Sequence, residues 1–219
     1  DTPYANRIYA LMASVYFFEG KYDEAMAMFN SARLDLLGNE ERDDMTYRLA
    51  TCYLKTGNVK EAAIWFETLR STSKKYAADC TYYISYIRYT QQRYDEAMTG
   101  FLSLQDNAKY KALAPYYIAE IYLIKKNYDK AEIVAQNYLS AYPNNEYTAE
   151  MYRVLGDADY HFGKYHEAME AFEKYLENNK EAAPRRDALY MLGLSYYNCG
   201  VYSKAVSYTH LTLPTSDLV

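Results

Sequence analysis

Glycine, proline, cysteine and tryptophan are all scarce in this sequence of 219 residues, with 8, 5, 3 and 1 copies respectively. Tight turns use glycine and proline heavily, so their scarcity argues against an all-β fold with many hairpins. No run of about 18 apolar residues occurs, which argues against a transmembrane helix. The chain also lacks a charged start followed by an apolar stretch, so no signal peptide is recognisable. These absences leave a helical fold without a membrane span as the expectation.

The three cysteines, Cys52, Cys80 and Cys199, are too far apart for a disulfide framework or a zinc site, both of which need more cysteines or closer pairs. We expect them to be buried free thiols. The formal net charge is −5. Without a basic face that could neutralise phosphates, nucleic acid is not an expected partner.

Tyrosine is unusually abundant, with 29 copies against 7 of phenylalanine. A tyrosine side chain buries a large ring while its hydroxyl keeps a hydrogen bond to water or to protein, so it suits half-buried positions better than dry cores. The composition therefore indicates a fold with much half-buried surface for its volume.

A short phrase recurs along the chain as GKYDEA at Gly20, QRYDEA at Gln92, KNYDKA at Lys126, GKYHEA at Gly163 and GVYSKA at Gly200. The alanine that ends the phrase has six aligned copies separated by 34 to 37 residues, namely Ala25, Ala62, Ala97, Ala131, Ala168 and Ala205. A fixed period of this length indicates an array of repeats, in which each unit buries its apolar face only by stacking on its neighbours.

Three further positions keep their spacing from these alanines. A turn residue, which can adopt the left-handed conformation that ends a helix, occurs at Gly20, Gly57, Gln92, Lys126, Gly163 and Gly200. A small residue, which lets two helices cross closely, occurs at Ala13, Ala50, Ser85, Ala119, Gly156 and Gly193. An aromatic residue one helical turn after the alanine occurs at Phe29, Phe66, Phe101 and Phe172. Ala135 replaces this phenylalanine in the fourth unit, where we expect different local packing.

These residues resemble the tetratricopeptide repeat (TPR) family over residues 4 to 205, and the segment YRVLGDADYHFGKYHEAMEAFEKYL, residues 152–176, is the strongest single match. The resemblance implies an all-α fold, a right-handed α-solenoid of about six antiparallel helix hairpins (a TPR superhelix). It also implies a bacterial protein, of which this chain is a fragment. The expected array spans residues 1–205, with units near 4–36, 44–71, 76–104, 109–141, 147–178 and, in part, 185–205.

The repeat pattern breaks after Ala205. The segment VSYTHLTLPT can be translated back into the transposon-end adapter of sequencing libraries, so we interpret residues 206–219 as a non-native tail, a translated adapter. An ordinary irregular C-terminus is the alternative. We expect poor packing from Tyr208 onward, with Leu211 and Leu213 not buried in a regular helix. The truncated C-terminal end is expected to promote self-association, because repeat arrays need a polar cap at each end.

Motifs for catalysis are missing from the sequence. It contains no GxxxxGK[ST], GxGxxG or GxSxG pattern. The segment HEAME at residues 166–170 lacks the second histidine of a zinc protease, and His166 occupies a repeat position where other units have aspartate. We therefore predict no enzymatic activity, no catalytic residue, no cofactor and no metal site.

In the TPR family the first helix of each unit lines a concave groove that holds an extended peptide or a helix of a partner protein. Mapped onto this chain by spacing, the predicted groove residues are Tyr47, Arg48, Tyr82, Tyr83, Tyr86, Tyr89, Tyr116, Tyr117, Glu120, Arg153, Asp157, Tyr160, Tyr190 and Tyr197. The alternative, that these rings only pack between neighbouring helices, stays open at this point.

The resemblance thus implies a protein–protein interaction scaffold that binds a peptide or partner helix in a tyrosine-lined groove. Similar tyrosine-rich bacterial repeat proteins assist the assembly of envelope complexes, which favours a role in cell-envelope assembly and a location in the periplasm or envelope over the cytoplasm. The alternative function is a sensory or docking arm of a larger signalling enzyme or transferase. The sequence does not identify the partner.

Overall fold

The computed structural model describes residues 3–181 and 183–212. Within these ranges it contains twelve α-helices, one short 3-10 helix and no strand. The α-helices are α1 (Pro3–Phe18), α2 (Tyr22–Ser31), α3 (Asn39–Lys55), α4 (Val59–Thr72), α5 (Ala77–Thr90), α6 (Tyr94–Ser103), α7 (Ala114–Ile124), α8 (Tyr128–Ala141), α9 (Thr148–His161), α10 (Tyr165–Asn178), α11 (Arg186–Asn198) and α12 (Tyr202–Thr212). They form six helical hairpins in sequence order, which confirms the predicted all-α repeat fold.

Every hairpin turns at a residue with a left-handed backbone. The φ angles are 74° at Gly20, 81° at Gly57, 61° at Gln92, 56° at Lys126, 74° at Gly163 and 76° at Gly200. Only glycine adopts this conformation without a steric penalty. Gln92 and Lys126 therefore preserve the turn of the other hairpins and strain its backbone.

The repeat positions identified in the sequence are buried. This holds for the six small residues, for the six aligned alanines and for the four phenylalanines. In the fourth hairpin, where Ala135 replaces phenylalanine, the ring of Tyr138 fills the core beside Met151. Its hydroxyl donates a hydrogen bond to Oδ1 of Asn145 over 2.7 Å, which satisfies the buried polar atom.

The helices group into two compact units, Asp1–Leu104 and Gln105–Val219. In each unit the second helix of one hairpin packs against the first helix of the next. In the first unit, Phe29 of α2 packs with Met45 and Leu49 of α3. In the second unit, Phe172 of α10 packs with Leu192 of α11.

Helix α2 ends at Ser31, five residues earlier than predicted. The side-chain amide of Asn6 pairs with the backbone of Arg33, because its Nδ2 donates to the Arg33 carbonyl over 3.0 Å and its Oδ1 accepts from the Arg33 N–H. The backbone at Arg33 is thereby held outside the helix, and the chain continues as a 3-10 turn at Leu34–Leu36.

Two first helices also begin elsewhere than predicted. Helix α3 begins at Asn39 instead of 44, and its first turn contains Glu40 and Glu41, which are favourable near the positive end of the helix dipole. Helix α7 begins at Ala114 instead of 109, with Pro115 as its second residue. Proline lacks an N–H group and restricts the residue before it, so it is tolerated in a first turn but not further inside a helix.

Helix α12 continues through Thr212, into the segment predicted to be a non-native tail. The prediction of poor packing from Tyr208 onward is wrong for Tyr208 itself, whose ring stacks on that of Tyr196 with 5.5 Å between centroids. Tyr208 packs because it lies three residues after Ala205, on the face of α12 that meets α11. Leu211 is 62% exposed, as expected. Leu213 lies outside the described residues, and the origin of the tail stays a prediction.

Candidate functional site

Tyr47 and Tyr83, on the first helices α3 and α5, stack against other aromatic rings. The Tyr47 ring lies 4.5 Å from that of Tyr76 at an interplanar angle of 15°. The Tyr83 ring lies 4.9 Å from that of Phe66 at 12°. Burial raises the pKa of the Tyr47 hydroxyl. These two rings pack between hairpins, which supports the packing alternative at these positions.

Tyr82, Tyr86 and Tyr89, also on α5, are half-buried. The rings of Tyr82 and Tyr86 stack with centroids 6.3 Å apart. Tyr89 meets Tyr94 edge to face at 5.8 Å. These three rings are neither enclosed in a core nor fully exposed to solvent. Their assignment to the partner-binding groove therefore stays a prediction.

Arg48 of α3 interacts with α1. Its Nη1 donates a hydrogen bond to Oγ of Ser14 over 2.7 Å, and its guanidinium lies 5.0 Å from the ring centroid of Phe18. A guanidinium over an aromatic face is an attractive cation–π arrangement. Arg48 therefore links two first helices.

In the second unit, the predicted groove residues Glu120, Arg153 and Asp157 form one ionic cluster. Nη1 of Arg153 pairs with Asp157 over 3.0 Å, its Nε pairs with Glu150 over 2.7 Å, and its Nη2 pairs with Glu120. Arg153 is only 3% exposed and Glu120 only 7%. These two residues hold α7 and α9 together and are poorly placed to contact a partner directly.

Burial shifts the pKa values of the ionisable side chains in this cluster. Burial raises the pKa of the Asp157 carboxyl, although the positive charge of Arg153 acts in the opposite direction. Burial likewise raises the pKa of Glu150, against the effect of Arg185, and it lowers the pKa of Arg153. Desolvation therefore outweighs charge pairing for both carboxyls.

Arg185, just before α11, extends the cluster to a third first helix. Its Nη1 pairs with Glu150 over 3.3 Å and its Nη2 pairs with Asp187 over 2.7 Å. Burial tends to raise the pKa of Asp187, but the hydrogen bond and charge of Arg185 outweigh it and lower that pKa. The cluster contains four carboxylates and two guanidinium groups, so acidic groups are in excess.

Glu150, Arg185 and Asp187 were missed by sequence reasoning. A signal for two of them was present, because Glu150 and Asp187 are 37 residues apart, as are Glu120 and Asp157. This is the separation of the aligned small residues in these units, so each pair shares a repeat position. Comparing acidic residues by repeat position would have indicated the cluster.

The tyrosines of the second unit differ in exposure. Tyr116 and Tyr117 on α7 and Tyr160 on α9 are half-buried, and Tyr116 stacks on Tyr147 with 5.3 Å between centroids. Tyr190 and Tyr197 on α11 are 48% and 61% exposed.

The charged cluster and the neighbouring tyrosines form one strip along α7, α9 and α11, which are the first helices of the fourth, fifth and sixth hairpins. Helix α9 carries Glu150, Arg153, Asp157 and Tyr160 at spacings of three and four residues, which places them on one face. Asp187, Tyr190 and Tyr197 of α11 occupy the same repeat positions, 37 residues after Glu150, Arg153 and Tyr160. The ion pairs of Arg153 and Arg185 join this face to α7 and α11. We call these residues, with Tyr116 and Glu120, the carboxylate–tyrosine surface.

The described residues contain no group of three or more histidine, cysteine, aspartate or glutamate side chains arranged to hold a metal ion. His161 instead stacks on Tyr128 with 4.0 Å between ring centroids. None of the helices in residues 3–181 and 183–212 is both long and apolar enough to cross a membrane.

Solved structures of several bacterial proteins have a similar fold. PilF of Pseudomonas aeruginosa matches with a TM-score of 0.71 and 16% identity, over 93% of this chain and 88% of its own. The C-terminal part of a TPR-containing protein of Cytophaga hutchinsonii matches with a TM-score of 0.71 and 17% identity, over 91% and 76%. MamA of Desulfovibrio magneticus RS-1 matches with a TM-score of 0.66 and 18% identity, over 80% and 94%. No curated protein sequence matches significantly.

Two family models, both described as tetratricopeptide repeat, match residues 16–78 and 110–181. Such repeats are scaffolds for protein–protein interaction and are generally non-catalytic, so the indicated partners are proteins. The hairpin architecture, the left-handed turns and the buried small residues agree with these matches. This chain belongs to the tetratricopeptide repeat family.

Proposed function

We propose that this protein is an interaction scaffold that binds an extended peptide or a helix of a partner protein on the carboxylate–tyrosine surface. The observation that carries the proposal is the continuity of this strip across α7, α9 and α11, joined by the ion pairs of Arg153 and Arg185. A surface whose charged groups are already paired and oriented loses little entropy when a partner binds.

The charges of the strip favour a partner segment with basic side chains. Arg153 is buried, whereas the side chains of Asp157 and Asp187 are 21% and 58% exposed. A lysine or arginine of the partner would meet carboxylates there, and complementary charge speeds encounter and fixes register. Tyr190 and Tyr197 beside them offer rigid aromatic contact area at low entropic cost.

A random peptide library displayed on phage tests the proposal, with the immobilised full chain as bait. We expect the selected peptides to be enriched in lysine and arginine. The double variant Tyr160→Ala/Tyr197→Ala should weaken binding of a selected synthetic peptide by about tenfold or more, as is common for aromatic hot spots.

The matched control is Ile133→Ala, because Ile133 is 56% exposed but lies on the second helix α8. It should bind the same peptide as the wild type does. Circular dichroism establishes that both variants are folded. If no peptide is selected, or if the folded double variant binds as well as the control, the proposed surface is wrong.

The role in cell-envelope assembly is a separate part of the proposal. It rests on the likeness to tyrosine-rich bacterial repeat proteins and is tested by the genomic sequence on both sides of this segment. An encoded signal peptide upstream would support it. A catalytic domain in the same reading frame would instead make the repeats a docking arm of an enzyme.

A further inference from the structure

A cleft of about 550 Å³ lies in the first unit, where the second helices α2 and α4 pack against α3. It is lined by Phe29 of α2, Thr46 and Leu49 of α3, and Trp65 and Leu69 of α4. The first, third and last of these are almost completely buried, so the base of the cleft is apolar. Size and lining are typical of a binding site. We call it the Trp65 cleft.

The cleft exists because α2 is shorter than the other helix that borders it. Helix α2 ends at Ser31, six residues after Ala25. Helix α4 ends at Thr72, ten residues after Ala62. The last turn of α4 therefore has no matching turn of α2 beside it, and Thr68 and Thr72 of that turn line the cleft.

The corresponding groove of the second unit, between α8 and α10, is smaller, with a volume of about 360 Å³. There the first helix contributes the ring of Tyr152, four residues before the aligned small residue, and α10 contributes Ala171. In the Trp65 cleft the same two repeat positions hold Thr46 and Trp65. The first helix thus supplies a hydroxyl and no ring, which leaves space for an aromatic ring from outside to pack against Trp65.

The hydroxyl of Thr46 lacks the hydrogen bond that a threonine at this position makes elsewhere in the chain. Thr81 holds the same repeat position in α5, and its Oγ1 donates to the Ala77 carbonyl over 2.8 Å. Thr46 is only 7% exposed, and within residues 3–181 and 183–212 its hydroxyl bonds to no other group. A buried hydroxyl without a partner is unfavourable. Because Thr46 lines the Trp65 cleft, a polar atom placed in the cleft can satisfy it.

The charges around the cleft balance one another. Nη2 of Arg33 pairs with Asp35 over 2.9 Å, and the other two charged residues of the lining, Arg42 and Asp43, also have opposite signs. Neither an acidic nor a basic group is therefore favoured in the cleft. The features together select a neutral aromatic ring that carries a hydrogen-bonding group.

We propose that the Trp65 cleft binds a tyrosine side chain of a partner protein, with its ring against Trp65 and its hydroxyl bonded to Thr46. A phenol hydroxyl both donates and accepts, so it can pair with the threonine in either direction. A phenylalanine or leucine in the same place would leave the Thr46 hydroxyl buried without a partner. This site is separate from the carboxylate–tyrosine surface, which lies on first helices of the second unit.

Tryptophan fluorescence of the full chain tests the proposal, because Trp65 is the only tryptophan of the sequence. The probes are the capped peptides acetyl-Gly-Tyr-Gly-amide and acetyl-Gly-Phe-Gly-amide, with excitation beyond the tyrosine absorption band. We expect saturable binding of the tyrosine peptide, at least about fivefold tighter than that of the phenylalanine peptide. Saturation-transfer NMR of the peptide ring measures the same binding without relying on a change in fluorescence.

Thr46→Val removes the hydroxyl and keeps the shape of the side chain. In this variant the two peptides should bind within about twofold of each other, with the loss confined to the tyrosine peptide. Thr81→Val is the matched control, because Thr81 has the same repeat position but its hydroxyl already has a partner and does not line the cleft. It should keep the preference of the wild type. Circular dichroism establishes that both variants are folded.

Three results would overturn the proposal: no binding of the tyrosine peptide by either method, equal binding of both peptides to the wild type, or an unchanged preference in Thr46→Val. A fourth probe, 4-methylphenol, separates a protein partner from a free phenol. If 4-methylphenol binds as tightly as the tyrosine peptide does, the Trp65 cleft is a site for small phenols and the assignment to a partner protein is wrong.

Discussion

Gly156 of α9 lies against the ring of Phe172 in α10, so closely that a methyl group at Gly156 would come within 2.9 Å of two ring carbons. The ring is fully buried, and a close-packed core leaves little room for it to move. Gly156 is one of the small residues predicted at a helix crossing, and this contact is the physical reason for its size.

We therefore expect Gly156→Ala to destabilise the protein. Overpacking of this kind lowers the free energy of unfolding by about 1–3 kcal/mol, although alanine recovers up to about 1 kcal/mol through its higher helix propensity. Urea unfolding followed by circular dichroism measures the net loss.

Gly193→Ala is the control, because Gly193 holds the same position in the next hairpin. There the nearest atom to an added methyl group is Cβ of Tyr208 at 3.4 Å, an ordinary contact. This variant should be neutral or stabilised by up to about 1 kcal/mol. Equal losses in both variants would show that the Phe172 contact is not the cause.

The two strained turns give the opposite prediction. Lys126 and Gln92 have φ angles of 56° and 61°. Replacing either with glycine removes a steric penalty of about 1–2 kcal/mol and adds about 0.4–1 kcal/mol of unfolded-state entropy, so each variant should be more stable by about 1 kcal/mol. Thermal unfolding measures the gain.

Gly163→Ala is the reciprocal control, since Gly163 has a φ angle of 74° in the fifth hairpin. It should destabilise the protein by about 1 kcal/mol. If the glycine variants lower the melting temperature, the left-handed turn does not limit stability at these positions.

The repeat made much of the fold predictable, because each hairpin reuses the same local contacts. The pairing of Asn6 with Arg33 was not predictable in this way, since it joins residues 27 positions apart. Because of this pairing, α2 ends at Ser31 and not near residue 36, where the repeat pattern had placed the end of the unit.

The candidate site was less predictable, because one repeat position has different surroundings in different units. Tyr47, Tyr116, Arg153 and Tyr190 share a position in the repeat. Tyr47 and Tyr116 stack on tyrosines of the following hairpin, Arg153 is buried among carboxylates, and Tyr190 is exposed. Residue type and spacing could not distinguish these outcomes.

The cysteines should differ in reactivity. Burial raises the pKa of the Cys52 thiol to about 12 and that of Cys80 to about 12, whereas Cys199 is only half-buried. The thiolate is the reactive form. We expect one thiol to react with Ellman's reagent in the native protein and all three after unfolding. Rapid reaction of two or more thiols, or loss of the native reaction only when Cys52 is replaced, would contradict this assignment.

The stability of the protein should depend on pH through Asp157. Because burial raises the pKa of this carboxyl above the ordinary value of 3.8, the folded protein holds the proton at pH values where the unfolded chain has lost it. The stability that Asp157 contributes is therefore largest below pH 3.8 and falls as the pH rises through its raised pKa. Asp157→Asn removes this titration while keeping the size of the side chain.

We expect the free energy of unfolding of Asp157→Asn, relative to that of the wild type, to increase as the pH rises from about 4 to 7, because only the wild type loses stability through this group. The difference between the two proteins is measured by urea unfolding at each pH, because Glu150 titrates in the same sense and Asp187 in the opposite sense, and both remain in the variant. Asp187→Asn is the comparison: its pKa is lowered, so that variant should lose stability relative to wild type as the pH rises. If the Asp157→Asn difference is flat or falls over this range, pairing with Arg153 outweighs burial at Asp157.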